Sequence, residues 1–448
     1  MILVGLLAMS AQIIFMREFL VVFQGNEISI GIILANWLIW GAFGSLVLGR
    51  FSDSIKAKIP VFAACQILLS VILPVVIFLI RCSRGFIGTA AGEIIGYVPM
   101  VLISFVLVSL PCAVMAFMFS LACSIYHEAA PQTASAAARM YTVEAVGALA
   151  GGFAASIFML WHIPVYYLIF SLSFLTVLAA LSNMSAAGGC RGTKFILPVG
   201  VSLVMVFCWM LFSGTIGYID KKSKKFLWTG FDVVASGDSI YGNVTLTKQG
   251  DQLSFYENGL HLYTVPDPLY AEESVHYAML ESVEPQEVLL IGGGIGGQLS
   301  EILKYSVKSI DYVELDPMLI DMAKDLLNEK DRSVLSDKRV NIIHQDGRFY
   351  IKNTKKKYDV VIISLGDPYT AQLDRFYSTG FFRELREKLK KGAVVSFALT
   401  SSENYVSGEM RDYFQSIYLS LRECFPERLI IPGDTAYFLA SNEQGALT

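Results

Sequence analysis

Five glycines, Gly292, Gly293, Gly294, Gly296 and Gly297, stand between the strand-like run VLLI and the helix-like run QLSEILKY. Without side chains a backbone comes close to a ligand, and the helix behind it offers unpaired N–H groups. Glu314 follows 17 residues after Gly297, at the end of the next strand-like run, where a carboxylate can accept from both hydroxyls of a ribose. A third run ends at Asp346-Gly347, in reach of an adenine ring. The fourth ends in SLGDPYTAQLDRFYS, 364–378, and puts Asp367 ahead of Pro368. Asp-Pro often does no more than start a turn. Here it follows three nucleoside-type strand ends, and catalytic groups of open α/β sheets gather along that edge. The chemistry expected is nucleoside binding, with Asp367 beside the reacting centre.

The elements that must hold these residues alternate. From about 287 the order is strand, glycine loop, helix, strand, helix, strand, strand (YDVVIISLGDP), helix, strand (AVVSFALT), then a long helix near 406–423. Such alternation implies right-handed crossovers and a mostly parallel sheet covered on both faces. RLIIPGDTAYFLAS suits an antiparallel hairpin closing that sheet, so the expected fold is α/β Rossmann-like, of the class I methyltransferase type. Before it, SIYGNVTLTKQGDQLSFYENGLHLYTV (239–265) alternates short β-rich runs with glycine, and Asn258-Gly259 is a strong hairpin signal. A small antiparallel β unit is expected there.

Composition divides the chain. Residues 1–217 hold 9 Lys+Arg and 6 Asp+Glu, whereas 218–448 hold 26 and 33. Charge density rises from roughly 7% to roughly 26%, the second being ordinary for an aqueous domain. Seven apolar stretches, about 1–22, 28–49, 59–80, 97–123, 138–160, 163–182 and 194–213, approach the length that crosses a bilayer. A multi-pass α-helical membrane domain is therefore expected over 1–217, the β unit over 218–270, and the Rossmann-like domain over 271–448. Breaks are expected at 50–58, 81–85, 127–132 and 186–192. Lys221, Lys222, Lys224 and Lys225 after the last span favour a cytoplasmic C-terminal half. The chain opens directly into an apolar run, with no basic stretch or cleavage site of a removable signal. Arg17, Glu18 and Glu144 are ionisable groups in or beside spans and so are functional suspects, although pairing between helices explains them as well. Gly147, Gly151 and Gly152 form a small-residue face suited to close helix packing.

Net charge of -4 argues against a nucleic-acid partner. The cysteines, Cys65, Cys82, Cys112, Cys123, Cys190, Cys208 and Cys424, contain no C-x-x-C pair, and no His cluster has metal-ligand spacing. Neither a disulfide framework nor a metal site is expected.

The β unit with its Asn-Gly turn, EESVHYAML, VLLIGGGIGG, YVELDP, HQDGRFYI, YDVVIISLGDP and RFYSTGFF together resemble the spermidine synthase (polyamine aminopropyltransferase) family, over about 236–440. Within that family the resemblance is to members fused to N-terminal membrane spans. It implies transfer of an aminopropyl group from decarboxylated S-adenosylmethionine to a small amine such as putrescine, releasing methylthioadenosine, without a metal. It also implies a homodimer, the common state of the family. By position, Gly292 to Gly297 would border the methionine-derived part, Glu314 the ribose, and Asp346 with Gly347 the adenine. Tyr241, His276 and Tyr377 would lie near the acceptor, His276 serving a structural role equally well. The family supplies three acids, one in the glycine loop and two in a D-x-x-D-P segment. This sequence has Ile295 in the loop and Ser364 as first member of the pair, leaving Asp367. Its Tyr-Gln pair reads Tyr241-Gly242. A neutral hydroxyl is a poor proton acceptor, so these departures favour nucleoside binding over putrescine aminopropylation. They leave open a methyltransferase using S-adenosylmethionine itself, or a non-catalytic polyamine or nucleoside sensor or transport-linked regulator.

Overall fold

The protein is described by a computed structural model covering residues 1–90, 92–130, 136–160, 163–186, 193–327 and 329–448. The break expected at 186–192, with Cys190, and part of that at 127–132 lie outside the described residues. The chain divides into two compact units, Met1–Asn243 with Glu257–Leu260, and Val244–Tyr256 with His261–Thr448.

The first unit is helical: α1 (Ile2–Val22), α2 (Glu27–Phe43), α3 (Lys58–Ile87), α4 (Tyr97–Ala129), α5 (Ala136–Leu160), α6 (Val165–Ala186), α7 (Thr193–Phe212) and α8 (Thr215–Leu227). Among the described residues, seven helices are long and apolar enough to cross a membrane, at mean hydropathy from 1.3 to 2.7. Apolar runs of this length become helices because a helix satisfies every backbone polar group within one segment. Gly147 and Gly151 let α5 lie directly on α1, since a Cβ on either would meet Ile2 O at 1.9 Å or Leu6 O at 2.4 Å.

The expected break at 81–85 is absent, and α3 continues through it to Ile87. Arg81 and Arg84 do not end the helix because both find partners inside the unit. Arg81 bonds both carboxylate oxygens of Glu18 at 2.6 and 2.8 Å, Asp220 at 2.7 Å and Ser223 at 2.8 Å. Arg84 donates to the carbonyls of Val22 and Ala90. Helix α8 is amphipathic, burying Ile216, Asp220, Ser223 and Leu227 while Lys221, Lys222 and Lys225 stay exposed. Strand β1 (Asp232–Asp238) follows in the same unit, and Arg17 pairs with Asp238 and donates to Ser239 O.

The strands β2 (Asn243–Gln249), β3 (Gln252–Glu257) and β4 (Leu260–Val265) are successive neighbours in a small sheet, most of it in the second unit, with Asn243 and Glu257–Leu260 counted in the first. Asn258 and Gly259, at φ 49° and 78°, make the turn between β3 and β4, as an Asn-Gly hairpin requires. Then come α9 (Pro268–Glu281), β5 (Glu287–Ile291), α10 (Gln298–Ile302), β6 (Ser309–Val313), α11 (Pro317–Lys324), α12 (Glu329–Val334), β7 (Val340–Ile343), α13 (Gly347–Asn353) and β8 (Tyr358–Ile363). The remainder is α14 (Ala371–Asp374), α15 (Thr379–Arg386), β9 (Leu389–Thr400), α16 (Gly408–Cys424), β10 (Glu427–Ile431) and β11 (Thr435–Ser441).

These strands form one sheet in the order β10-β11-β9-β8-β5-β6-β7. Strands β7, β6, β5, β8 and β9 run parallel, while β11 and β10 are antiparallel at the edge. The central strands are almost wholly apolar, and Leu289, Val361 and Val395 are completely buried, as parallel strands covered on both faces must be. The strand order reverses at β5, between β6 and β8. Their carboxyl ends open the crevice in which such sheets bind ligands.

Candidate active site

The loop after β5 is built from glycine by necessity. Gly292, Gly293 and Gly297 adopt φ of 72°, 70° and 104°, a region closed to most L-residues. Space is short as well: a Cβ on Gly293 would lie 2.1 Å from Ser364 Oγ, and one on Gly294 would lie 2.5 Å from the ring of Tyr312. Ile295 is buried, so its side chain packs inward and offers no polar contact.

Tyr312 and Glu314 are two residues apart around the end of β6. The Tyr312 hydroxyl donates to Glu314 Oε2 at 2.9 Å, and the Asp316 N–H reaches Oε1 at 3.5 Å. Glu314 is 7% exposed. Burial pushes its carboxyl up to about 7, against the hydrogen bonds from Tyr312 and from the Asp316 and Leu315 backbone. Burial, helped by Glu314 and Tyr263, holds the Tyr312 hydroxyl well above its usual range, so it stays a donor. One aromatic side chain thus supports the glycine loop from below and orients the acid expected to hold the ribose.

Asp346 caps α13 through the Phe349 N–H at 2.8 Å and pairs with Arg375 through its other oxygen. The Arg375 contact draws the segment after β8 toward the end of β7. Gly347 is packed, since a Cβ there would meet Ile291 Cγ2 at 2.8 Å.

At the end of β8 the Ser364 N–H donates to Ile291 O at 2.8 Å, which places Ser364 directly against the glycine loop. Asp367 is fixed from two sides: the Thr400 N–H donates to Oδ1 and the Tyr369 hydroxyl to Oδ2, each at 3.0 Å. Burial, then the Asp367 charge, pushes the Tyr369 hydroxyl up to about 12. Burial also raises Tyr270, which hydrogen-bonds Ser364 and feels the charges of Asp367 and Asp267. The two neutral hydroxyls therefore stay protonated around one carboxylate.

The residues expected near the acceptor have different surroundings. Tyr377 is buried and its hydroxyl donates to Gly366 O at 3.1 Å, bracing the segment that carries Asp367. His276 has both ring nitrogens engaged, Nδ1 with the Tyr305 hydroxyl at 2.6 Å and Nε2 with Glu301 at 3.0 Å. It ties α9 to α10. Tyr241 belongs to the first compact unit and is 41% exposed. Three further residues at the site are not marked out by sequence pattern as the others are: Tyr312, Tyr270 and Gln298. Only Tyr312 carried a signal, because strand alternation puts residues two apart on one face.

This constellation occupies the stretch that comparison with known proteins singles out. Residues 267–432 match the spermine/spermidine synthase domain. A polyamine aminopropyltransferase of Korarchaeum cryptofilum is 33% identical over 197 residues, 44% of this chain and 59% of that protein. The polyamine aminopropyltransferase of Saccharolobus solfataricus is 33% identical over 202 residues, 44% of this chain and 65% of that one. The chain thus spans less than two thirds of each of these relatives. A crystal structure of spermidine synthase in complex with the transition-state analogue AdoDATO is 27% identical, covering 48% of this chain and 75% of that one at a TM-score of 0.43. The glycine loop, Glu314, Asp346, Ser364 and Asp367 all fall inside the matched synthase domain, whereas the seven long apolar helices lie outside it.

Proposed function

We propose that the protein is a membrane-anchored aminopropyltransferase that uses decarboxylated S-adenosylmethionine and a small amine acceptor. The observation that carries this reading is the pairing of Tyr312 beneath the glycine loop with Glu314 at the carboxyl end of β6, inside the matched domain. Glu314 would take the ribose hydroxyls, the loop would border the sulfonium chain, and the Asp346–Gly347 turn would face the adenine. In the reaction the acceptor nitrogen attacks the carbon next to sulfur, the C–S bond breaks, and methylthioadenosine leaves with the bonding pair. The proton lost by the new secondary ammonium goes to Asp367, whose orientation Thr400 and Tyr369 hold. A carboxylate with two donors already bound still has lone pairs for a third.

The seven helices anchor the domain in a lipid bilayer in this proposal. The lysine face of α8 argues for a cytoplasmic catalytic domain, since positive charge next to a span stays inside. The dimer implied by the resemblance belongs to the same proposal.

A second reading is a methyltransferase using S-adenosylmethionine. What favours it is the absence of carboxylate at Ile295 and Ser364, which removes repulsion against the amino acid's own carboxylate. Mass spectrometry of the full chain in detergent micelles, given each sulfonium donor and a panel of mono- and diamines, separates the two. An aminopropylated amine with stoichiometric methylthioadenosine supports the first reading. A methylated product, or no product with either donor, overturns it.

A further inference from the structure

Gln298 opens α10 immediately after the glycine loop and is wholly buried, at 0% exposure. Its Nε2 donates to Ser364 Oγ at 3.1 Å. The glycine loop packs against the same amide: a Cβ on Gly293 would lie 3.3 Å from Nε2, and one on Gly296 would lie 2.8 Å from Oε1. Oε1 itself is buried without a hydrogen-bond partner. A buried carbonyl oxygen stripped of water is costly, and folded chains satisfy almost all such atoms. Ile295 gives this stretch of the loop no polar side chain, and the Gln298 amide oxygen is an acceptor there that no protein donor fills.

We propose that Gln298 determines ligand specificity by accepting, through Oε1, a hydrogen bond from the amine that ends the three-carbon chain of the sulfonium ligand. The inference rests on the aminopropyltransferase reading and assigns that chain end a partner. Ser364 holds the nitrogen side of the amide, so the oxygen is the side left facing the loop. A carbonyl oxygen welcomes an N–H donor and repels a carboxylate. The pair Gln298–Ser364 thus selects a chain that ends in an amine with a neutral hydrogen-bonding surface.

Calorimetry on the full chain in detergent micelles tests this with methylthioadenosine, which lacks the amine, decarboxylated S-adenosylmethionine, and S-adenosylmethionine. Gln298→Leu is expected to keep methylthioadenosine affinity within about twofold and to weaken decarboxylated S-adenosylmethionine about tenfold, the scale of one lost hydrogen bond to a charged group. Gln298→Glu, nearly the same shape, should tighten the decarboxylated ligand and reads the same contrast if the leucine variant does not fold. Equal losses for both ligands, or none for either, would overturn the role of Gln298 and leave the nucleoside site standing. Loss confined to S-adenosylmethionine would overturn it too, by showing that the amide presents its nitrogen. Wild-type protein that binds no methylthioadenosine would overturn the functional reading on which the inference rests.

Discussion

The hydroxyl of Tyr312 lies 2.9 Å from Glu314 Oε2, while the ring of the same tyrosine sits where any side chain at Gly294 would have to go. The glycine loop and Glu314 are therefore not independent parts. A change in one is transmitted to the other through a single buried ring.

Ligand affinity should follow the ionisation of Glu314. A carboxylate accepts from two ribose hydroxyls, and the protonated acid competes poorly for them. With the group held up to about 7, methylthioadenosine should bind more tightly as pH rises from 6 to 8. Glu314→Gln should weaken binding about tenfold or more and flatten the profile. Titration calorimetry at several pH values measures both, and a flat wild-type profile would remove Glu314 from the site. Stability runs the other way. The unfolded acid ionises near its ordinary value, about 4.3, so its share of native stability is full below that value and is lost as pH rises through about 7.

Asp367→Asn should lower turnover by about 10²- to 10⁴-fold, the usual worth of a positioned general base. Methylthioadenosine affinity should stay within about twofold, since Asp367 is held by Thr400 and Tyr369 rather than by Glu314 or Asp346. Single-turnover kinetics beside calorimetry separates the two quantities. Unchanged turnover would exclude proton acceptance by Asp367.

Gly293→Ala meets two obstacles, a φ of 70° and a contact with Ser364 Oγ at 2.1 Å. A loss of about 1–3 kcal/mol in stability is expected, together with loss of nucleoside binding. Thermal unfolding of wild type and variant provides the check. Coincident curves would mean that the loop has room that its geometry denies.

In the helical unit, Arg81→Met should be among the most damaging single changes. It leaves Glu18 and Asp220 buried without their shared cation, and breaking a buried ion pair from one side costs about 3–5 kcal/mol. Fluorescence-monitored unfolding in detergent should show a lowered transition. The triple replacement of Arg81, Glu18 and Asp220 by apolar residues should recover much of the loss, because the buried charges are then removed together and only the half-buried Lys224, 3.5 Å from Asp220, gives up a partner.

The glycine loop, Glu314, Asp346 and Asp367 were legible along the chain because each sits at the end of a strand, and strand ends are marked by local pattern. The seven apolar helices were legible for a similar reason, since length and hydropathy need no knowledge of neighbours. Arg81 reads along the chain as part of a connection, because a charge looks like a boundary until its partners are known, yet it lies inside α3. Those partners, Glu18 and Asp220, are 63 and 139 residues away.

Period, composition and spacing along the chain thus determined which segments are helix, strand or loop and which residues reach the carboxyl edge of the sheet, because backbone geometry repeats over a few residues. Tertiary packing alone decided which buried polar atom meets which. Gln298 meets Ser364 across 66 residues of chain and Tyr358 meets Asp311 across 47. Hydrogen bonds of that kind are chosen by proximity after the sheet closes, when water is no longer there to satisfy either side.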